Sequence, residues 1–574
     1  MNSEVKICQN CKNDFTIEPD DFSFYEKMKV PAPTFCPECR YVRRLIDRNE
    51  YNLYKRKCDA TGKTIITIYR PEATFPVYEQ EYWKSDAWDA IDYGRNFNFT
   101  RSFFEQYEDL RKVVPHLAML NSNSVNSEYT NQTCNNKDCY MLFTSGDNEK
   151  CMYGSWCQGG GYFLCDCYMA EKSQFCYESI NITKCSRCAW VYDCADCIDI
   201  YFSRDCRGCT NCFGCVGLRN KQYYYFNENL GKDEYEKKIN KSVWSRKFIK
   251  EMKEKSSKLF LIVPVKFYHG VQVQNSSGDY IENSQNMRYS FNCRDNKDTA
   301  YMQDVWKVED CLDCTEIMVG QLCYETQGIE IPNRSMFIRS CFSTITDSCY
   351  CDMCFNVQDC FGCFGLRSKQ YCILNKQYTK EEYFTLRENI IEHMRKNEEW
   401  GEYFPSSTSP FAYNESMAQD YFPITKEEAL KAGYTWYDRP VRDYGVTLFT
   451  NDLPETLSET KETITDEIIQ CSSQNSSVQI EKYNLCASAF KITPLELTFY
   501  KMLNLPIPDK CFPCRRQDRF KFRNPRKLWH RTCMCNKNGH FHAENKCEIE
   551  FNTAYSPDKS EIVYCEKCYQ QEIY

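Results

Sequence analysis

The sequence predicts a multidomain, β-rich protein: a duplicated parallel β-solenoid carrying zinc-ribbon or treble-clef-like modules at both termini, with helices between. Three observations carry this: paired Cys-x2-Cys knuckles near the ends, an ungapped match between the two ends, and a regular cysteine step through the middle. A chain of 574 residues has room for several domains and does not need cross-links to hold a core, so its 40 cysteines require a separate explanation.

The start, Met1 to Cys8, has no basic patch followed by an apolar run, and the longest apolar run, Leu259 to Val265, is too short to span a bilayer. The expectation is a cytoplasmic protein with no membrane partner. Thiols there stay reduced, so clustered cysteines read as metal ligands or compact apolar residues before disulfides. A formal net charge of -8 argues against coating nucleic acid over the whole surface, while leaving room for local basic patches.

Sliding the first sixty residues by 475 positions places Cys11 on Cys486, Phe24-Tyr25 on Phe499-Tyr500, Cys36 and Cys39 on Cys511 and Cys514, and Arg40 and Arg44 on Arg515 and Arg519. The register continues through Arg48-Asn49 on Arg523-Asn524 and Cys58 on Cys533. In the first copy, Cys8, Cys11, Cys36 and Cys39 supply four thiolates for a closed tetrahedral zinc site. The second copy has Tyr483 where Cys8 maps, so Cys486, Cys511 and Cys514 read as a degraded site or one with an unidentified fourth ligand. Further on, Cys533, Cys535, Cys565 and Cys568 form the expected second zinc site, with His540, His542 and Cys547 as alternatives. In the first copy, Glu79 and Tyr82 occupy the places of Cys565 and Cys568. The expectation is therefore about two structural zinc ions, one kept in each copy.

Between the ends, segments near 134–226 and 283–374 are related: Cys206, Cys212 and Cys215 correspond to Cys354, Cys360 and Cys363. Within each, cysteines and apolar residues recur at a step of about 18, as in Cys176, Cys194 and Cys212, or Ile180, Ile198 and Val216. This predicts a coil of about 18 residues per turn with packing ladders of reduced cysteine. Extra zinc in the coil, or an iron–sulfur cluster on Cys206, Cys209, Cys212 and Cys215, remains an alternative. The latter lacks the three-residue last gap and following proline of such motifs.

Arginines cluster beside the knuckles: Arg40, Arg43 and Arg44 at one end, and Arg515, Arg516, Arg519 and Arg523, with Trp529, at the other. Guanidinium groups interleaved with aromatics suit RNA or single strands. The competing reading pairs them with the protein's own carboxylates. No catalytic residue is singled out. His116 and His269 lack an accompanying nucleophile or carboxylate motif and read as structural.

With Cys36-Pro37-Glu38-Cys39-Arg40, the Cys-Phe-Gly-Cys-x-Gly-Leu-Arg runs at 212 and 360, and Glu561 to Tyr569 in view, the chain resembles the uncharacterised cysteine-rich zinc-ribbon proteins of candidate phyla radiation bacteria. The resemblance implies an architecture and no activity. The expected division is a zinc module over 1–60, an aromatic docking segment over 61–133, solenoid units over 134–230 and 276–378 with a helix and connection over 231–275, a helical segment over 379–440, a linker over 441–477 and a zinc module over 478–574. The function expected is non-enzymatic: a rigid surface for an unidentified macromolecule, protein or nucleic acid. The alternatives are a nucleic-acid or ribosome-binding factor and a thiol- or metal-handling protein.

Overall fold

The structure, a computed structural model, describes residues 2–239, 244–440, 443–475, 485–542 and 546–573. The β-solenoid is present, in two units. Most strands pair in parallel with one 12 residues further on, as Tyr168 with Ile180, Ile180 with Tyr192, Ile198 with Thr210 and Thr210 with Gln222, with an occasional extra residue as between Ser155 and Tyr168. A turn is therefore 12 residues, and the 18-residue step read from the sequence is one and a half turns. Ile180 and Ile198, which that step placed in one file, belong to strands of two different sheets.

The reason is a unit of three residues. Through the first coil, with one extra residue at Gly159-Gly160, every third residue takes a left-handed backbone, as at Asp193, Asp196, Asp199, Phe202 and Asp205, with φ between 51° and 56°. Four such corners close a four-sided turn. Left-handed backbone costs an ordinary residue about 1 kcal/mol or more, and Asp, Asn and Gly adopt it most readily. Hence the recurring pairs Asp193-Cys194, Asp205-Cys206, Gly208-Cys209 and Asn211-Cys212.

The residue after each corner points inward. Cys194, Cys197, Ile200, Ser203 and Cys206 are all at most 1% exposed. Four inward side chains share each narrow turn, which favours small ones. Thiols also serve the backbone: Cys185 Sγ donates to the carbonyls of Thr183 and Cys194, both at 3.5 Å, tying one turn to the next. Cys176 and Cys197 do the same.

Both coils end alike, in an antiparallel hairpin that covers the open edge: Gln222–Tyr225 with Glu228–Asn229, and Gln370–Ile373 with Lys376–Gln377. Helices Arg246–Ile262 and Lys380–Lys396 follow, the second opened by a capping box between Thr379 and Glu382. The ladders begin at Asn121 and Gly270, earlier than the boundaries read from the cysteines.

The two coils run antiparallel, side by side. The entry strand of the first, His116–Leu117, pairs with Val77–Tyr78, and the neighbouring Trp83 packs on Phe355 near the end of the second coil, with ring centroids 5.4 Å apart. Reciprocally, Val265–Lys266 enters the second coil beside Val563–Tyr564, and the Tyr569 hydroxyl accepts from Arg219 at the end of the first at 3.0 Å. Each terminal copy thus spans both coils.

The segment read as a linker is packed over its described part. Leu453, Ile464 and Ile469 are buried, and Ile469 pairs with Phe490. Residues 441, 442, 476 and 477 of that segment lie outside the described residues.

Candidate metal centres

One local design recurs four times: an antiparallel hairpin whose turn begins with a cysteine, then a helix whose N-terminus faces that turn. In the first, strands Glu4–Ile7 and Asp14–Ile17 hold Cys8 and Cys11, and helix Pro37–Ile46 has Cys36 as its N-cap and Cys39 in its first turn. Pro37 fits this first turn, where no amide is needed. The four sulfurs lie within 4.8 Å of one another. The Cys36 amide donates to Cys8 Sγ at 3.2 Å, and the Cys39 amide to Cys36 Sγ at 3.4 Å. Hydrogen bonding from Cys39 holds the Cys36 thiol down at about 5, as a helix N-terminus favours a thiolate.

Of the two expectations for the second site, a degraded group or one with an unidentified fourth ligand, the structure fits the latter. Cys471 joins Cys486, Cys511 and Cys514 in a four-sulfur group. The Cys511 amide donates to Cys471 Sγ at 3.3 Å, the bond that Cys36 makes to Cys8. Cys471 is therefore the true counterpart of Cys8. It stands 15 residues before Cys486 instead of three before, because the knuckle turn is expanded. The ungapped comparison passed over the insertion and landed on Tyr483, which lies outside the described residues.

The third group also differs from expectation: Cys533, Cys547, Cys565 and Cys568 come together, with Cys547 in the place given to Cys535. Strands Trp529–Thr532 and Glu550–Thr553 form the hairpin, helix Glu566–Ile573 follows, and the Cys565 amide donates to Cys533 Sγ at 3.2 Å. Cys535 instead belongs to an adjoining group with His540, His542 and Cys568. The described residues thus hold four candidate groups against the two expected, three of them in the C-terminal copy.

The fourth hairpin, Tyr54–Lys57 with Thr64–Thr67, keeps Cys58 alone. Thr61, Glu79 and Tyr82 occupy the remaining positions.

The knuckle arginines are interior, which corrects their reading as a nucleic-acid surface. Arg40 and Arg44, 1% and 0% exposed, reach Asp313 at 2.9 and 3.5 Å, and Arg43 reaches Glu325 at 2.8 Å. In the other copy, Arg515 and Arg519 meet on Asp166 at 2.8 and 2.7 Å, while Arg516 pairs with Asp420 at 2.6 Å. Arg523 lies 3.5 Å from the Phe520 ring centroid and donates to Tyr168, and Trp529 is half-buried in its strand. Burial is the largest influence on Arg40 and Arg515 and lowers their pKa, but the combined pull of Asp313, Tyr25 and Tyr324 on the first and of Asp166, Tyr500 and Glu496 on the second holds both well above the ordinary value. These arginines pin the first module to the second coil and the C-terminal copy to the first coil. Around them Tyr324 packs on Phe24 and Tyr25, as Tyr177 packs on Phe499 and Tyr500.

Cys206, Cys209, Cys212 and Cys215 occupy successive inward positions and each donates to backbone carbonyls. Among the described residues, none of the four-ligand groups lies in the coils. His116 is buried, stacks on Phe75 at 3.8 Å and bonds the Arg111 carbonyl at 3.0 Å. His269 Nδ1 faces Asp279 at 2.9 Å and its ring stacks on Tyr280 at 4.3 Å.

A groove of about 1490 Å³ runs between the coils. One wall repeats a position turn after turn through Gln132, Thr144, Trp156, Met169, Asn181 and Asp193; the other does so through Glu282, Arg294, Trp306, Met318, Glu330 and Phe342. Cross-coil contacts join the walls: Trp156 with Trp306 at 5.3 Å and Arg294 with Glu171 at 2.9 Å.

No protein-family model matches the chain, and no curated protein matches it. Among solved structures, the chain is similar to one titled a "putative acetyltransferase" from Desulfovibrio desulfuricans G20, at 9% identity, over 42% of this chain and 65% of that one, with a TM-score of 0.10. The match spans just under two thirds of that chain. At this TM-score it carries no argument about fold or activity.

Proposed function

We propose that this is a non-enzymatic cytoplasmic zinc protein that presents the groove between its two coils to a macromolecular partner. Zinc is the metal that four thiolates in a closed group suit best, and such closed sites hold structure without an open position for chemistry. The observation that carries the partner reading is the repetition of lining positions along both walls. The lining positions repeat over six turns at about 4.8 Å spacing, about 24 Å in all, a length that suits an extended chain lying over the Trp156–Trp306 and Arg294–Glu171 contacts that join the walls. Its mixed lining, with Glu282, Arg294, Trp306 and Glu330 on one wall, favours a polypeptide over a polyanion.

The test is recovery of the partner from the native cell with the full chain. Met318→Arg and Glu330→Arg place bulk and charge on the groove wall, while Glu236→Arg alters the exposed helix Lys232–Lys238 as a control. The reading expects the material retained by wild type and control to fall at least tenfold with the wall variants, at unchanged metal content. Equal recovery in all three contradicts it.

A further inference from the structure

The third and fourth candidate groups are not separate. Cys568 belongs to both, and the two share the turn between Cys533 and Cys547, which is enlarged relative to the Cys8–Cys11 knuckle and carries Cys535, His540 and His542. We propose that this module binds a pair of zinc ions bridged by the thiolate of Cys568.

Two tetrahedral zinc ions need eight ligand positions, and the two groups together offer seven side chains, so a doubly used sulfur completes both. Cys533, Cys535, Cys547, Cys565 and Cys568 are all at most 3% exposed. A bridge also eases their charge: the pair carries one excess negative charge, where an isolated four-thiolate zinc carries two. The imidazoles are oriented for the role. His540 turns Nδ1 to within 3.2 Å of Cys535 Sγ and His542 turns Nε2 to 3.4 Å from it. The other nitrogen of His540 faces Glu572 at 3.8 Å, the carboxylate–imidazole arrangement that fixes a metal-bound histidine. Binding releases the thiol protons to solvent.

The inference rests on the zinc reading above, and the experiment separates the two. Full-length protein loaded with zinc and dialysed against a chelator is measured for metal, then reloaded with ¹¹³Cd for NMR. Four ions per chain are expected, falling to three in Cys535→Ser and to two in Cys568→Ser, with two ¹¹³Cd resonances split by mutual coupling through the shared sulfur. Three ions in wild type, a loss of one ion in Cys568→Ser, or four uncoupled resonances overturns the bridge while leaving the other zinc sites standing. No retained metal at all overturns the zinc reading itself.

Discussion

The backbone amide of Glu79 donates to Cys58 Sγ at 3.3 Å, in the position where Cys36 bonds Cys8, Cys511 bonds Cys471 and Cys565 bonds Cys533. The fourth hairpin therefore has the geometry of a metal knuckle with one cysteine in place of four. Combining Thr61→Cys, Glu79→Cys and Tyr82→Cys is expected to add one tightly held zinc per chain, read by metal analysis. A chain that folds with unchanged zinc content would show that the site is no longer shaped for metal.

Asp166 is fully buried and receives both Arg515 and Arg519. Asp166→Asn keeps a residue suited to the left-handed corner but removes the charge shared by two buried guanidinium groups, leaving Arg515 with Glu496 at 3.6 Å and Arg519 without its carboxylate. The expected cost is about 3–5 kcal/mol in urea unfolding, against about 0.5 kcal/mol or less for Asp196→Asn at an exposed corner. Equal midpoints for the two would remove the ion pairs from the account of how the module is held.

The inward slot of the coil accepts Ser203 as readily as its cysteine neighbours, and Ser203 Oγ donates to the Tyr201 carbonyl at 2.9 Å. Cys194→Ser is expected to cost about 1 kcal/mol, since a hydroxyl keeps the bond. Cys194→Leu overfills the turn and should cost about 1–3 kcal/mol. A reversed order in thermal unfolding would mean that the cysteines do something other than pack and bridge turns.

Burial, followed by the charge of Arg111, holds His116 well below the ordinary imidazole value, so it is neutral when folded. Below about pH 6.5 the unfolded chain takes up a proton that the folded one refuses, and stability falls by up to about 1.4 kcal/mol per pH unit. Between pH 7.5 and 5.5, wild type should lose about 1 kcal/mol or more relative to His116→Gln in urea unfolding. Identical pH dependence in the two proteins would contradict this.

The first cysteine group was legible because its knuckle is compact: Cys8-x2-Cys11 and Cys36-x2-Cys39 need no insertion to be recognised. Cys471 is hidden in the sequence because it stands 15 residues before Cys486 and because it falls in the segment read as a linker over 441–477. The sequence offers Cys535 and Cys547 as alternative partners of Cys533, and the hairpin that places Cys547 beside Cys565 decides between them. The coil was visible in the cysteine step, but its turn was misjudged, because 18 residues is a whole number of three-residue units and not of turns. The spacing of three in Asp193-Cys194 and Asp196-Cys197 was the better signal. The arginines could not be placed by composition alone: Asp166 and Asp313 lie far from them in sequence and meet them only once the coils are wound.

The central claim is that metal-held terminal modules clamp two antiparallel coils. Hydrogen exchange before and after chelation tests it most directly. Removing metal should expose helices Pro37–Ile46 and Phe512–Phe520 together with the coil faces around Asp313 and Asp166, while amides between Cys194 and Cys215 stay protected. Unchanged protection of the two helices, or uniform loss across the whole chain, would contradict the account.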